Sequence, residues 1–437
     1  MIVPLALLAM LQQTAPPAAT DKSYLFFVAV EGRDEVALLR FDRKGLRVEH
    51  RTPIGSLPGE PESPGELYRV DVTAPTFPAL NGRTVLLSSA HGFAPERLAA
   101  GPRHLALSPD GRWYYVTTAR GFPTGTLLKV RIAADSAPVP QPPDTVRGQE
   151  QLGADPDAVA ISRDGLFAWV TAGAEGEIDR SGVSIIYLAP MTEVGHVATC
   201  GGARGARFTV DGSRHYSVCT ANDALVEIDA RAMKVTRQLS LGASDQRRCG
   251  PTALTTVPDG SRIFVACGQS GEVVEVDGLG WSVGRRLPVG AGPASLAITD
   301  DGSMLVVVDR EGGGISLLDM SAAVSGRPAA TVQVSANYRQ ASVAAPGVGA
   351  NGARVDLFDL TAIMLAAAGF GTPLPALQGT PIAAVTSSDQ RYAFVTVARS
   401  GGETGTITVI DLAARLAVAS LDFGRRPAGI AFWKVVP

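Results

Sequence analysis

Four cysteines and five histidines are the scarce reactive side chains of this chain. The cysteines fall in two pairs, Cys200 with Cys219 and Cys249 with Cys267. Each pair brackets one Asp–Gly turn, at Asp211 and at Asp259. Cys200 and Cys249 precede the turn by 11 and 10 residues, and Cys219 and Cys267 each follow it by 8. If the turn joins two antiparallel strands, the paired positions approach beside one end of a hairpin. The spacing therefore predicts disulfides Cys200–Cys219 and Cys249–Cys267, among the three connectivities four cysteines allow. A metal site is the competing chemistry. His196 lies four before Cys200 and His215 four before Cys219, and alternate strand residues share a face.

A second set of charged residues follows from the same turns. Eight residues before the turn Asp stands Pro102, Pro156, Pro251, Pro293 or Pro381, with Ala203 in the remaining copy. Proline there enters a strand without needing a ladder hydrogen bond. The residues just after it are Arg103-His104, Asp157-Ala158, Arg204-Gly205, Thr252-Ala253, Ala294-Ser295 and Ile382-Ala383, with Arg425-Arg426 before Pro427. If the units close into a ring, these residues converge. Arg103, His104, Asp157, Arg204, Arg425 and Arg426 then form a cationic mouth around one acid, which suits a small anion. Only His104 offers imidazole, so a multi-histidine metal centre is not expected there.

The elements that must position these residues are read from the turns. Asp–Gly occurs as SPDG ending at Gly111, SRDG at Gly165, TVDG at Gly212, VPDG at Gly260 and TDDG at Gly302, with a degenerate SSDQ ending at Gln390. Glycine accepts positive φ and aspartate bonds its own backbone, so the pair suits a hairpin. Each turn is followed by a β-branched or aromatic run such as WYYVTT, IFVACG or MLVVVD. Eighteen residues after the turn Asp comes another, at Asp229, Asp277 and Asp319, ending a third strand as a structural turn. A fourth short run follows. Four strands per unit, with turn spacings of 47, 48 and 42 residues from Asp164 to Asp301, mark an all-β propeller with four-stranded antiparallel blades.

Six first strands are visible. The N-terminus supplies SYLFFVAVEG, EVALLRFD and LRVEHRTPIG, matching second, third and fourth strands, and the C-terminus supplies FGRRPAGIAFWKVV, matching a first strand. Together they complete a seventh blade, so the C-terminal strand closes the ring on the N-terminal three and removes its open edges. The aromatics Phe27, Tyr115, Trp169, Tyr216, Phe264 and Phe394 share one repeat position and are expected to pack between blades.

The units resemble YVTN-type β-propeller repeats, on PRHLALSPDGRWYYVTT and PTALTTVPDGSRIFVAC. The resemblance covers nearly the whole chain and implies the seven-bladed fold. It embraces surface-layer and periplasmic binding-type propellers, domains of redox enzymes, and lactonases. Gly101 to Gly111 is also similar to a motif of the 6-phosphogluconolactonase propellers, although Thr117 and Thr118 stand where that family carries Asn-Glu. If the chain is such a lactonase, His104 serves as base, Arg103 stabilises developing negative charge, and Asp157 is the accompanying carboxylate.

Composition bounds the rest. Hydrophobic residues make up 46% and charged ones 19%, enough apolar material for a core. A net charge of −3 with no basic run gives no reason to expect nucleic acid or an anionic membrane as partner. Residues 1–19 read as a signal peptide, with an apolar stretch from Ile2 to Leu11 too short to span a bilayer and cleavage near Ala18 or Ala19. No other segment is apolar enough to span one. Residues 20–437 form one domain, interrupted by inserts at about 56–101 and 335–380. The first insert carries a possible hairpin in ELYRVDV and RTVLLSSA, and the second a helix-like LFDLTAIMLAAAGF. Both inserts join a fourth strand to the next first strand and should emerge on one face. The motifs HExxH, GxSxG, Walker A, CxxC and CxxCH are all missing. The expectation is a secreted or periplasmic, monomeric, non-catalytic binding propeller without a cofactor, taking a small anionic molecule or a protein partner. The alternatives are a lactonase-like hydrolase and an accessory component of a periplasmic redox system.

Overall fold

A computed structural model describes residues 21–54, 67–72, 83–88, 101–118, 125–133, 144–152, 155–173, 181–242, 248–320, 331–335, 379–399 and 404–437. The signal-peptide segment and the helix-like run of the second insert lie outside the described residues. The chain forms seven four-stranded antiparallel sheets arranged as blades, plus a separate two-stranded pair. That pair, Leu67–Val72 with Arg83–Ser88, is the hairpin expected in the first insert.

Blade one is the seam. Its strands are, from the centre outward, Pro427–Val436, Ser23–Val30, Glu35–Asp42 and Gly45–Pro53. The chain ends pair antiparallel from Ser23–Val436 to Val30–Pro427. Blades two to seven begin with first strands Pro102–Leu107, Pro156–Ile161, Ala203–Phe208, Pro251–Thr256, Pro293–Ile298 and Thr380–Thr386. Each continues through a second, third and fourth strand in sheet order.

The turns form for the reasons the residues suggest. Gly111 has φ +65°, and its N–H donates to the Ser108 carbonyl at 2.9 Å. The Ser108 hydroxyl donates to Asp110 Oδ1 at 2.5 Å, and the Arg112 N–H donates to the same oxygen at 3.0 Å. The same pattern recurs around Asp164, Asp211 and Asp301. Third-strand aspartates cap the next turn: Asp229 Oδ1 accepts from the N–H groups of Arg231 and Ala232.

The core lies between blades rather than under one face. Seven apolar clusters fill the seven interfaces, including Phe27 with Tyr114 between blades one and two and Phe26 with Phe394 between blades seven and one. Successive side chains of a second strand face opposite neighbours, so both faces are buried. Trp169 faces blade four while Val170 faces blade two. This is why these strands read as continuous apolar runs rather than alternating ones. The six repeat-position aromatics are each at most 2% exposed and lie in six different interfaces.

The connections between fourth and first strands share one end of the ring with the connections between second and third strands. The Asp–Gly turns occupy the opposite end. The first insert leaves after Ile54 and returns at Gly101. Both points are held by Asp34, whose carbonyl accepts from the Ile54 N–H at 2.8 Å and whose Oδ1 accepts from the Gly101 N–H at 2.9 Å.

Candidate functional site: the channel mouth

Each first strand carries a register shift near its start. The shifts fall between Pro102 and His104, Pro156 and Val159, Arg204 and Arg207, Pro251 and Ala253, Pro293 and Ser295, and Pro381 and Ala383. The seam blade has its own, opposite Val28–Val30. A bulge leaves a residue unpaired and re-aims its side chain. Arg103, Asp157, Thr252, Ala294 and Ile382 fall within these shifts, so the proline-anchored positions share a recurring bulge at the start of each first strand.

The residue preceding the proline, or Ala203 in its place, adopts a left-handed conformation in most units. It is Gly101, Gly202, Gly250 or Gly292 where a Cβ would be strained. Asp155 and Arg426 adopt it without being glycine, at φ +55° and +50°.

Asp157 is the centre of the mouth. Its Oδ1 lies 3.3 Å from His104 Nε2 and 3.5 Å from Arg204 Nη1, and its Oδ2 accepts from the Gly205 N–H at 3.2 Å. Its carbonyl accepts from Thr117 Oγ1 at 2.9 Å. The carboxylate is 13% exposed. Burial disfavours its charge, but His104, Arg204 and the Gly205 N–H outweigh burial and hold it at about 2. Arg103 Nη1 reaches Asp155 Oδ1 at 2.6 Å. Four predicted residues from blades two, three and four thus meet. Arg425 and Arg426 stand immediately before the seam blade's innermost strand, Pro427–Val436. Both are exposed at the seam corner, where the Arg426 carbonyl accepts from the Glu31 N–H at 3.0 Å and Arg425 crowds Gly32.

Arg310 joins the cluster without having been anticipated. It follows the second strand of blade six (Met304–Asp309) at the mouth end. Partial desolvation, then the charges of Arg204 and Arg103, hold its guanidinium below the usual arginine range, with Asp157 and Glu311 acting in the opposite sense. Its guanidinium has no hydrogen bond or ion pair to a described residue, although solvent reaches it. Its neighbour Asp309 is buried, accepts from Ser316 Oγ at 2.6 Å, and is pushed up to about 6 by that burial.

The cysteines form Cys200–Cys219 and Cys249–Cys267, with Cα–Cα distances of 5.8 and 4.5 Å, and no described cysteine is free. Both bridges tie a first-strand entrance to its hairpin partner at the mouth end. They suit an oxidising, extracytoplasmic environment, and no helix among the described residues is long and apolar enough to cross a membrane. The alternative metal arrangement is excluded by these bonds. His215 lies instead between Trp169 and Phe208, 0% exposed, where burial and then the Arg207 charge push it down to about 3. His196 Nδ1 lies 3.4 Å from Ser184 Oγ.

No family model matches this chain, and no curated protein matches it. Solved structures do. A protein of unknown function from Desulfotomaculum acetoxidans superposes with a TM-score of 0.60 at 12% identity, covering 94% of this chain and 99% of that one. A 6-phosphogluconolactonase candidate from Bacteroides fragilis gives 0.56 at 12%, covering 95% and 99%. Hydrazine synthase from Kuenenia stuttgartiensis gives 0.54 at 17%, covering 76% and 89%. At such identities the likeness shows the propeller fold alone.

Proposed function

We propose that this chain is an exported, non-catalytic binding propeller that takes a small anionic ligand at the channel mouth. The observation that carries the reading is Arg310. An arginine partly withdrawn from water, without a carboxylate of its own and facing Arg103 and Arg204 across the mouth, is a charge arrangement an incoming anion would complete. The mouth acid is already engaged by three donors, and it and Glu311 offset the Arg310 charge only in part. The absence of a free described cysteine and of a serine-hydrolase elbow supports binding without turnover.

Ligand-observed NMR titration with butyrate at low ionic strength tests this. Butyrate is expected to bind the wild type, with Arg310→Ala weakening it at least about 5-fold and added salt weakening it further. Equal titration of the two proteins would remove the basis of the proposal.

One observation favours a second reading. The His104 Nε2–Asp157 contact at 3.3 Å is the geometry of a base oriented by a carboxylate. A lactonase-like hydrolase would use it, with Arg103 or Arg204 at the developing oxyanion. Lactone hydrolysis that disappears in His104→Ala would establish that reading over the first.

A further inference from the structure

Arg207 is a second cation that the mouth does not account for. It lies three residues beyond Arg204 on the first strand of blade four, but the bulge between them sets it opposite Tyr216 where Arg204 is opposite Val218, so it stands roughly 7 Å further along the channel, two residues of regular strand. Its side chain is exposed, although the strand is innermost and flanked by blades on both sides. The open side available to it is the channel. Its Nη1 donates to the Ala206 carbonyl at 3.0 Å, and its guanidinium makes no ion pair with any described carboxylate. That pattern is unlike the arginines that support this fold. Arg214 and Arg237 share Glu227, Arg286 bonds Glu272 at 2.6 Å, and Arg285 bonds Glu275.

The repeat sharpens the contrast. The position four residues before the turn Asp is Arg207 in blade four, Ala106, Ala160, Thr255 and Ala297 in the other Asp–Gly units, and Val385 in the unit with the Asp–Gln turn. One arginine therefore projects among small, mostly apolar neighbours. Behind the stretch between Arg204 and Arg207 the packing is apolar as well: Ala158, Ala160 and Ala206 are buried together between blades three and four. The channel presents cations at its mouth, an uncharged stretch, then a cation again. Partial desolvation of Arg207 holds it below the usual arginine range, which makes a counter-charge there more favourable than at a fully hydrated arginine.

We infer that the channel takes an elongated diacid, with one acid group at Arg103, Arg204 and Arg310 and the other at Arg207, its apolar middle crossing the uncharged stretch between them. This rests on the mouth being an anion site and adds the ligand's class and length. An elongated chain satisfies all three zones at once. A compact dianion reaches only the mouth, and a fatty monoacid leaves Arg207 unpaired.

Titrations with butyrate, octanoate, succinate and suberate separate these cases. Suberate is expected to bind about 10-fold tighter than octanoate, and succinate about as weakly as butyrate. Arg207→Met should abolish the preference for suberate over octanoate and weaken butyrate and octanoate to the same small extent, as loss of one nearby charge would, while Arg207→Lys should retain part of the preference. The lysine variant also guards against a methionine variant that fails to fold. Equal binding of suberate and octanoate by the wild type, or a preference that survives in Arg207→Met, overturns the inference and leaves the mouth reading intact. If neither butyrate nor suberate binds, the mouth reading falls and takes the diacid with it.

Discussion

Replacing Asp157 by Asn should lower stability and raise anion affinity together. Asp157 is held at about 2 against an ordinary 3.8. Nearly two pKa units, at about 1.4 kcal/mol each, correspond to about 2 kcal/mol of stability supplied by the ionised carboxylate. A carboxyl whose folded pKa is depressed contributes fully above its unfolded value and loses that contribution as pH falls through the folded one. The wild type therefore loses this term between about pH 4 and pH 2, and Asp157→Asn lacks it throughout. Urea unfolding should show the variant about 2 kcal/mol less stable at pH 6, with the gap closing as pH approaches 2. Affinity moves the other way. Removing one negative charge roughly 6 Å from a bound anion, at an effective dielectric of about 40, contributes ~1.4 kcal/mol, or about 10-fold tighter butyrate binding at low salt. The reasoning fails if Asp157→Asn unfolds like the wild type at pH 6. It also fails if the variant binds butyrate more weakly, since Asp157 would then contact the ligand rather than oppose it.

Three further outcomes follow from the fold and the site. Deleting residues 428–437 removes the strand that carries the Phe432 stack on Phe394, at 6.0 Å, and the Trp433 Nε1 bond to the Gly111 carbonyl, at 3.0 Å. Loss of a cooperative thermal transition is expected, and unchanged melting would refute closure through this strand. Replacing both cysteines of either bridge by alanine should cost about 3 kcal/mol in denaturant unfolding, because sequence separations of 19 and 18 give similar loop-closure entropies. A shift in midpoint too small to reflect even 1 kcal/mol would show that the bridges do not constrain the unfolded chain. Gly429→Ala would drive a Cβ into the Arg103 carbonyl and the His104 backbone. It should weaken butyrate binding as well as lower the melting temperature, and normal binding would show that the mouth does not depend on the seam.

Much of this was legible in the residues because the repeat ties each side chain to a turn. Counting from Asp211 and Asp259 placed the cysteines across a hairpin, and Ala203–Cys219 and Pro251–Cys267 are indeed direct cross-strand partners beside those bridges. Counting back to the proline placed Arg103, His104, Asp157 and Arg204 together, because bulges recur at that position. Arg310 escaped for a physical reason. It sits after a second strand, outside the proline register, and approaches Arg204 only across the closed ring. Arg207 was visible in principle as the lone arginine in a column of small residues, but that column gains meaning only once its strand is known to face the channel. Arg425 and Arg426 fit the same count at the seam, where the last outer strand runs to Arg425 and the Arg426 carbonyl accepts from the Glu31 N–H.

The mouth is assembled from short strand starts, and that makes closure and binding two readings of one equilibrium. Arg103 and His104 come from blade two, Asp157 from blade three, Arg204 from blade four and Arg310 from blade six. Few covalent constraints hold these blades at fixed separation; the seven interfaces do. Opening the seam strand relaxes every interface a little, and the first strand it releases is the one pressed against the Arg103 and His104 backbone at Gly429. An anion bridging Arg204 and Arg310 spans two blades that are not neighbours, so it stabilises the closed ring over any opened form by the free energy of its own binding. A saturating ligand should therefore raise the melting temperature of a seam-weakened variant as well as that of the wild type. The increment in stability should follow RT ln(1 + [L]/Kd) for the affinity each protein shows.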